Sequence, residues 1–166
     1  MYALVFLALL PAADVAPPAN AGLKPVEIDG LSWQADLAAA LAEAEKAKAL
    51  VFIDFTGVTC INCKINEKDV FSKDEVKAAF KPFVRVQLYS DEIPAKFYGK
   101  APDDDVREDH AAINRRFQKA VFKTEQLPLY AVVKPLGDGK FDVVGTYNEG
   151  KINHIDKFIE FLKNSK

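Results

Sequence analysis

Cysteine is scarce in this chain of 166 residues: Cys60 and Cys63 are the only two. One pair cannot draw the disulfide framework that staples small secreted domains. Histidine is as rare, and neither His110 nor His154 stands at zinc-finger spacing from the cysteines. Basic runs are missing too. With a formal charge of −2 the chain has no electrostatic footprint for nucleic acid, and no Lys/Arg patch for an anionic membrane. Nor is there an apolar run of about 20 residues, the length that spans a bilayer. The longest, MYALVFLALL at 1–10, also lacks the Lys or Arg that opens a secretory signal.

Three readings of that segment stand. Ala19-Asn20-Ala21 resembles a small-residue cleavage site, which suits a signal peptide. The segment equally suits the tail of a transmembrane helix in a longer membrane protein, or an ordinary buried apolar stretch. The first two place the domain outside the cytoplasm. Residues 11–25, PAADVAPPANAGLKP, carry four prolines and read as a semi-extended tether. The expected organisation is therefore an N-terminal segment with its tether over 1–26 and one domain over 27–166.

What the chain does have is apolar bulk. Twelve Phe, five Tyr and one Trp fill a sizeable core without staples. LSWQADLAAALAEAEKAK (31–48) spaces Trp33, Leu37 and Leu41 by four, predicting an amphipathic helix with Ser32 as N-cap. ALVFIDF (49–55) is short and continuously apolar, as in a strand buried on both faces. Gly57 breaks it, and CINCKINEKDVF runs on as a helix, restarted at Ser72 with Glu75 as capping-box partner. FVRVQLY (83–89) alternates as a strand. Residues 91–108, with the acidic triplet 103–105, read as a long loop. That loop is either a tolerated insertion or a partner-selecting rim using Phe97 and Tyr98. A helix follows over 110–122, then strands LPLYAVV and FDVVGTY joined by a Gly-Asp-Gly hairpin, and a helix facing inward through Ile152, Ile155, Phe158, Ile159 and Leu162. This order predicts an α/β sandwich, a central mixed sheet with helices on both faces.

FIDFTGVTCINCK, at 52–64, carries the chemistry. A Cys60 placed at the first turn of its helix faces unpaired backbone N–H groups and the positive end of the helix dipole, which favour thiolate. Such sites lower a thiol pKa from about 8.5 into the range of roughly 3.5–7.5. Cys63 lies three residues on, within bonding range on the same helical face. The second thiol can then attack a mixed disulfide formed by the first and release the partner. Two plainer readings compete. As a staple, a bond closing four residues contributes only about 2 kcal/mol; as a metal site, the pair lacks further ligands. Asp54 inside the buried strand is costly unless paired or protonated, so its pKa should be raised. Its plainer reading is a carboxylate reaching a solvated strand end or a backbone N–H.

The run DFTGVTCINCK resembles the active-site segment of the thioredoxin superfamily: strand, aspartate, short turn, then CxxC and Lys opening a helix. VFIDFTGVTCINCKINEKDVF and the downstream FQKAVFKTEQLPLYAVVKPLGDGK are most similar to the C-terminal thioredoxin-like domain of DsbD-type membrane thiol:disulfide interchange proteins. The resemblance runs from about residue 33 to the end. It implies a protein-disulfide reductase in which Cys60 attacks, Cys63 resolves, and Asp54 moves protons to and from Cys63. It further implies a cis bond at Pro128, against the trans bond that sequence alone favours. The backbone of Leu127 would then pair with a partner's extended chain. Thr59 and Lys64 are supporting residues; Lys64 adds to thiolate stabilisation or is merely solvated. No bound cofactor is required. The implied partners are exported thiol or disulfide proteins held through transient mixed disulfides, with a membrane-embedded thiol pair as electron donor.

The chain departs from the superfamily pattern in two places. Thr59 stands where Trp is frequent, and Ile61-Asn62 is neither Gly-Pro nor a histidine-containing pair. Without that histidine the expected potential lies toward thioredoxin's about −270 mV rather than the about −120 mV of a strong oxidant. The rival functions are a disulfide oxidase or isomerase, a non-catalytic thioredoxin-fold binding module, and a metal-handling module.

Overall fold

The computed structural model describes residues 15–100 and 102–166; the apolar segment 1–10 and the first part of the tether lie outside the described residues. A four-stranded sheet forms the centre, in the order β4-β3-β5-β6. β3 (Leu50–Thr56) runs parallel to β4 (Phe83–Tyr89) and antiparallel to β5 (Leu129–Gly137), which pairs in turn with β6 (Lys140–Tyr147). The continuously apolar ALVFIDF is thus flanked by strands on both edges and covered on both faces, as its composition requires.

Because side chains alternate along a strand, β3 feeds two separate cores. Val51, Ile53 and Phe55 point to one face, where α1 (Leu37–Ala47) and α4 (Asp104–Phe122) supply Leu37, Leu41 and Phe117. Phe52 points to the other, where Phe71, Phe80, Tyr130 and Phe158 gather around it. That second layer is built by α2 (Ile61–Asn66), α3 (Asp74–Phe80) and α5 (Ile155–Asn164). Phe52 and Phe80 lie 4.8 Å apart between ring centres, and Trp33 stacks on Phe71 at 5.9 Å. The sandwich with helices on both faces is the expected one. Asp54 and Thr56 share the parity of Phe52 and so belong to the α2 side.

Several local expectations are corrected. The helix over 31–48 begins only at Leu37. Leu31–Trp33 is instead β2, paired antiparallel with β1 (Val26–Ile28). The turn between them is Asp29-Gly30, both at positive φ, the signature of a two-residue hairpin. Ser32 is therefore a strand residue. Asp36 caps α1 instead, accepting the Ala39 N–H at 3.1 Å, while Trp33 joins the aromatic layer on the far side of the sheet. Ser72 and Glu75 form no capping box: Lys73 holds the N-cap position without a side-chain bond, and the Ser72 hydroxyl donates back to the Lys68 carbonyl. In the long loop, Ala95–Phe97 form a 3-10 turn and α4 starts at Asp104. Asp104 and Asp105 occupy its first turn, where the helix dipole favours negative charge.

Phe97 and Tyr98 do not form an exposed rim. Both are buried, in a satellite cluster with Ala35, Tyr89, Ile93 and Ala111. Lys24 N–H donates to the Phe97 carbonyl at 2.7 Å, and the Tyr98 hydroxyl meets His110 Nδ1 at 2.9 Å. The described part of the tether also lies against the domain: Ala38 N–H donates to the Pro18 carbonyl, and Asn20 N–H to Asp36. No helix among the described residues is long and apolar enough to cross a membrane.

Candidate active site

β3 ends at Thr56, and the turn over 57–59 delivers the chain to Cys60. Cys60 is the N-cap of α2: its backbone is extended and its Sγ accepts the Cys63 N–H at 3.2 Å. That places the sulfur among the unpaired amides of a helix start, as the spacing predicts. Cys60 and Cys63 are joined by a disulfide, with Cα atoms 5.3 Å apart. The two sulfurs differ in access. Cys60 is partly exposed, whereas Cys63 is only 1 % exposed. Ile61, between them, is 76 % exposed and rims the bond with apolar surface. α2 runs directly into a π-helical turn at Glu67–Phe71.

Beneath the pair sits a layer of buried polar groups. Asp54 is 1 % exposed; one carboxylate oxygen accepts from Gln87 Nε2 at 3.1 Å, and the other has no partner. Burial raises its pKa well above the ordinary value, and the nearby Glu67 charge adds to the rise. Glu67 accepts the Thr56 hydroxyl at 2.8 Å and is itself raised by burial, against the pull of that bond and of the Lys96 and Lys64 charges. The Tyr89 hydroxyl completes the layer by donating to Gln87 Oε1 at 3.3 Å. A cavity of about 80 Å³ opens behind Glu67 and Gln87, walled by Leu31, Trp33, Phe71 and Lys96. Asn66, fully buried, ties the helix to the rest: its amide donates to the Tyr130 hydroxyl and the Gly150 carbonyl, and its oxygen accepts the Ile152 N–H.

The Leu127–Pro128 bond is cis. Since Phe55 pairs with Leu129, this step lies at the same end of the sheet as the turn leading to Cys60. Gln118, buried in α4, donates to the Gln126 carbonyl at 2.8 Å and so fixes the approach to Leu127. Thr59 gives both its N–H and its hydroxyl to Asp91, each at 2.9 Å. Lys64 is exposed. The structure thus gathers Cys60, Cys63, Asp54, Thr59, Leu127 and Pro128 at one end of the sheet. Among the described residues, no group of three or more His, Cys, Asp or Glu could hold a metal ion.

A family model described as thioredoxin-like matches residues 32–135, more than half of the chain. This chain belongs to the thioredoxin-like family. Two solved structures share the fold of this thioredoxin-like protein. One is a thioredoxin from Thermus thermophilus, 20 % identical, with a TM-score of 0.56 over 79 % of this chain and 83 % of the other. The second is a DsbH oxidoreductase, 17 % identical, with a TM-score of 0.54 over 91 % of this chain and 89 % of the other. Comparison with curated protein sequences finds no match. The molecule is a thioredoxin-fold protein with a CxxC-spaced disulfide, the arrangement used in thiol–disulfide exchange.

Four residues that build the site escaped the sequence reading: Glu67, Gln87, Asn66 and Asp91. Signals for some of them were present. Glu67 lies one helical turn past Cys63 and therefore on its face. Gln87 is a polar residue inside a buried strand, and Asp91 follows the carboxyl end of a strand parallel to β3, where α/β sheets place functional groups. Asn66 had none, because its three partners lie 64 to 86 residues further along the chain.

Proposed function

We propose that this protein is a thiol:disulfide oxidoreductase working as a protein-disulfide reductase outside the cytoplasm. The observation that carries the reading is the asymmetry of the pair: an approachable Cys60 at a helix start, bonded to a buried Cys63 on the same side of the sheet as a buried Asp54, whose raised pKa makes its carboxylate a stronger base than an ordinary one. In the reduced protein, the Cys60 thiolate attacks one sulfur of a partner's disulfide. A mixed disulfide forms, and the partner's other sulfur leaves as a thiolate and takes a proton. Cys63 then gives its proton to the Asp54 carboxylate and attacks the Cys60 sulfur. The partner's second sulfur leaves and is protonated. Two electrons have moved to the partner, and the Cys60–Cys63 bond has closed. A dithiol protein must reopen it by the reverse exchange.

The place of Leu127–Pro128 at the same end of the sheet as Cys60 supports a docking role, in which the backbone of Leu127 pairs with an extended partner segment. The resemblance to DsbD-type proteins, together with an apolar segment at 1–10, favours a membrane-embedded thiol pair as donor and exported thiol proteins as acceptors. The experiment has two arms. The reduced protein should reduce a disulfide-bonded reporter catalytically in a thiol buffer. Cys63→Ser, expressed with an export signal, should trap partners in mixed disulfides that a reductant releases. Neither reduction nor trapped species would leave the chain a binding module with idle cysteines.

A further inference from the structure

Outside the pair and its buried carboxylates, one loop side chain accepts four hydrogen bonds. Asp91 follows β4 and is half-buried. One carboxylate oxygen accepts the Val58 N–H at 2.9 Å and the Glu92 N–H at 2.8 Å; the other accepts both the N–H and the hydroxyl of Thr59 at 2.9 Å. Burial alone would raise its pKa, but the backbone donors of Thr59, Val58 and Glu92 and the Thr59 hydroxyl outweigh it and hold the carboxyl below its ordinary value. The residue facing it is Gly57, where a Cβ would come within 3.0 Å of the carboxylate. A side chain there would force the carboxylate to give by a few tenths of an ångström, so Gly57 leaves room for its close approach to the turn.

We propose that Asp91 is a positioning residue that fixes the turn before Cys60 and holds an anion beside it, so that Cys60 ionises less readily and the pair stays reducing. This rests on the exchange reading above. Two effects act in the same direction. The Val58 and Thr59 amides, which immediately precede Cys60, are committed to Asp91 and are not available to a thiolate; the Cys63 N–H is the amide that meets Sγ. A full negative charge at this place also opposes a second one on Cys60. The other charges around the sulfur come from below and from its own helix: Asp54 on β3, Glu67 on the turn after α2, and Lys64 on α2, with Lys96 acting on Glu67 from the segment after β4. Asp91 is the one bonded to the residue preceding Cys60. Its own segment is braced in turn, since Glu92 pairs with Arg107 of α4 at 2.5 Å.

The test is Asp91→Asn, of nearly equal shape but neutral, in the full chain. In a Cys63→Ser background, ultraviolet absorbance of the Cys60 thiolate is followed against pH. The midpoint should fall by about half a unit to one unit, the size of a single charge at short range near a surface. With both cysteines present, equilibrium with glutathione should shift about three- to tenfold toward the reduced protein, because a more stable thiolate favours it. Asp91→Ser, also neutral, should shift both readouts the same way and serves if Asp91→Asn does not fold. A brace without electrostatic effect would lower thermal stability while leaving midpoint and equilibrium unchanged, and that result overturns the proposal. Reporter reduction by the unaltered protein is scored separately: its failure refutes the exchange reading, whereas unchanged midpoints in an active protein refute only the role of Asp91.

Discussion

Asn66 offers a quantitative test of how the site is held. Its amide donates to the Tyr130 hydroxyl at 2.8 Å and to the Gly150 carbonyl at 2.9 Å, while its oxygen accepts the Ile152 N–H at 2.9 Å. Three residues past Cys63, it pins the helix that carries the cysteines to β5 and to the segment before α5. Asn66→Ala deletes all three bonds and leaves the buried Ile152 amide and the half-buried Gly150 carbonyl without this partner. At about 1 kcal/mol for each lost bond, with the upper end of the range for stranded groups, the loss should be about 3–4 kcal/mol. For a domain of this size that corresponds to a fall of about 10 °C in Tm. Urea unfolding of the oxidised protein, read by Trp33 fluorescence, should show a lower midpoint at unchanged slope. Tyr130→Phe removes one of the same bonds and should cost about 1 kcal/mol. Combined with Asn66→Ala it should cost little more than Asn66→Ala alone, since the partners share that bond. A loss below about 1 kcal/mol for Asn66→Ala would refute the argument that this side chain anchors the helix.

Two further substitutions probe other links. Asp54 keeps its proton to higher pH in the folded protein than in the unfolded chain, so its contribution to stability is complete below the unfolded value of about 3.9 and declines as pH rises through the native value. Asp54→Asn should therefore be more stable than the unaltered protein at pH 7, with the gain vanishing in acid, while its exchange slows by about 10²-fold near neutrality. Urea titrations at pH 4 and pH 7 check the first part and single-turnover reporter reduction the second. A stability loss growing toward neutral pH would contradict the buried-acid account. Asp36→Ala should cost about 1–2 kcal/mol, because its carboxylate caps α1 through Ala39 and also holds Asn20 of the incoming chain. Thermal unfolding measures it, and an unchanged Tm would show that neighbouring groups replace the cap.

Elements with a strong local pattern were legible in the sequence. FVRVQLY is a strand at the predicted residues, and ALVFIDF is a strand within one residue of them. The cysteine spacing led directly to a bonded pair at a helix start. Where local pattern and tertiary context competed, context won. Trp33 stands at helical spacing from Leu37, yet packing with Phe52, Phe71 and Phe80 draws it to the opposite side of the sheet. The Asp-Gly pair at 29–30 was the local sign of that hairpin, outweighed by the alanine-rich run after it. Phe97 and Tyr98 read as rim residues because their stretch is polar and proline-bearing, but the Leu23 pairing with Tyr98 and the Tyr89 ring bury them. The carboxylates under the site were half legible. Asp54 stands out within an apolar strand, whereas Glu67 hides among the charges of KINEKD and declares itself only once Thr56 is opposite it.

The sheet order has a chemical consequence for the history of the chain. β3 has β4 alongside in the same direction and β5 in the opposite one, so the leaving ends of β3 and β4 and the entering end of β5 coincide. Asp54, Gln87, Asp91 and Pro128 meet there from three stretches of sequence that are strangers until the sheet closes. Before that moment Cys60 and Cys63 are two commonplace thiols, no more reactive than those of any peptide. Their special reactivity is acquired with the tertiary structure and is surrendered when it melts, so an unfolded copy exchanges only as an ordinary peptide dithiol does.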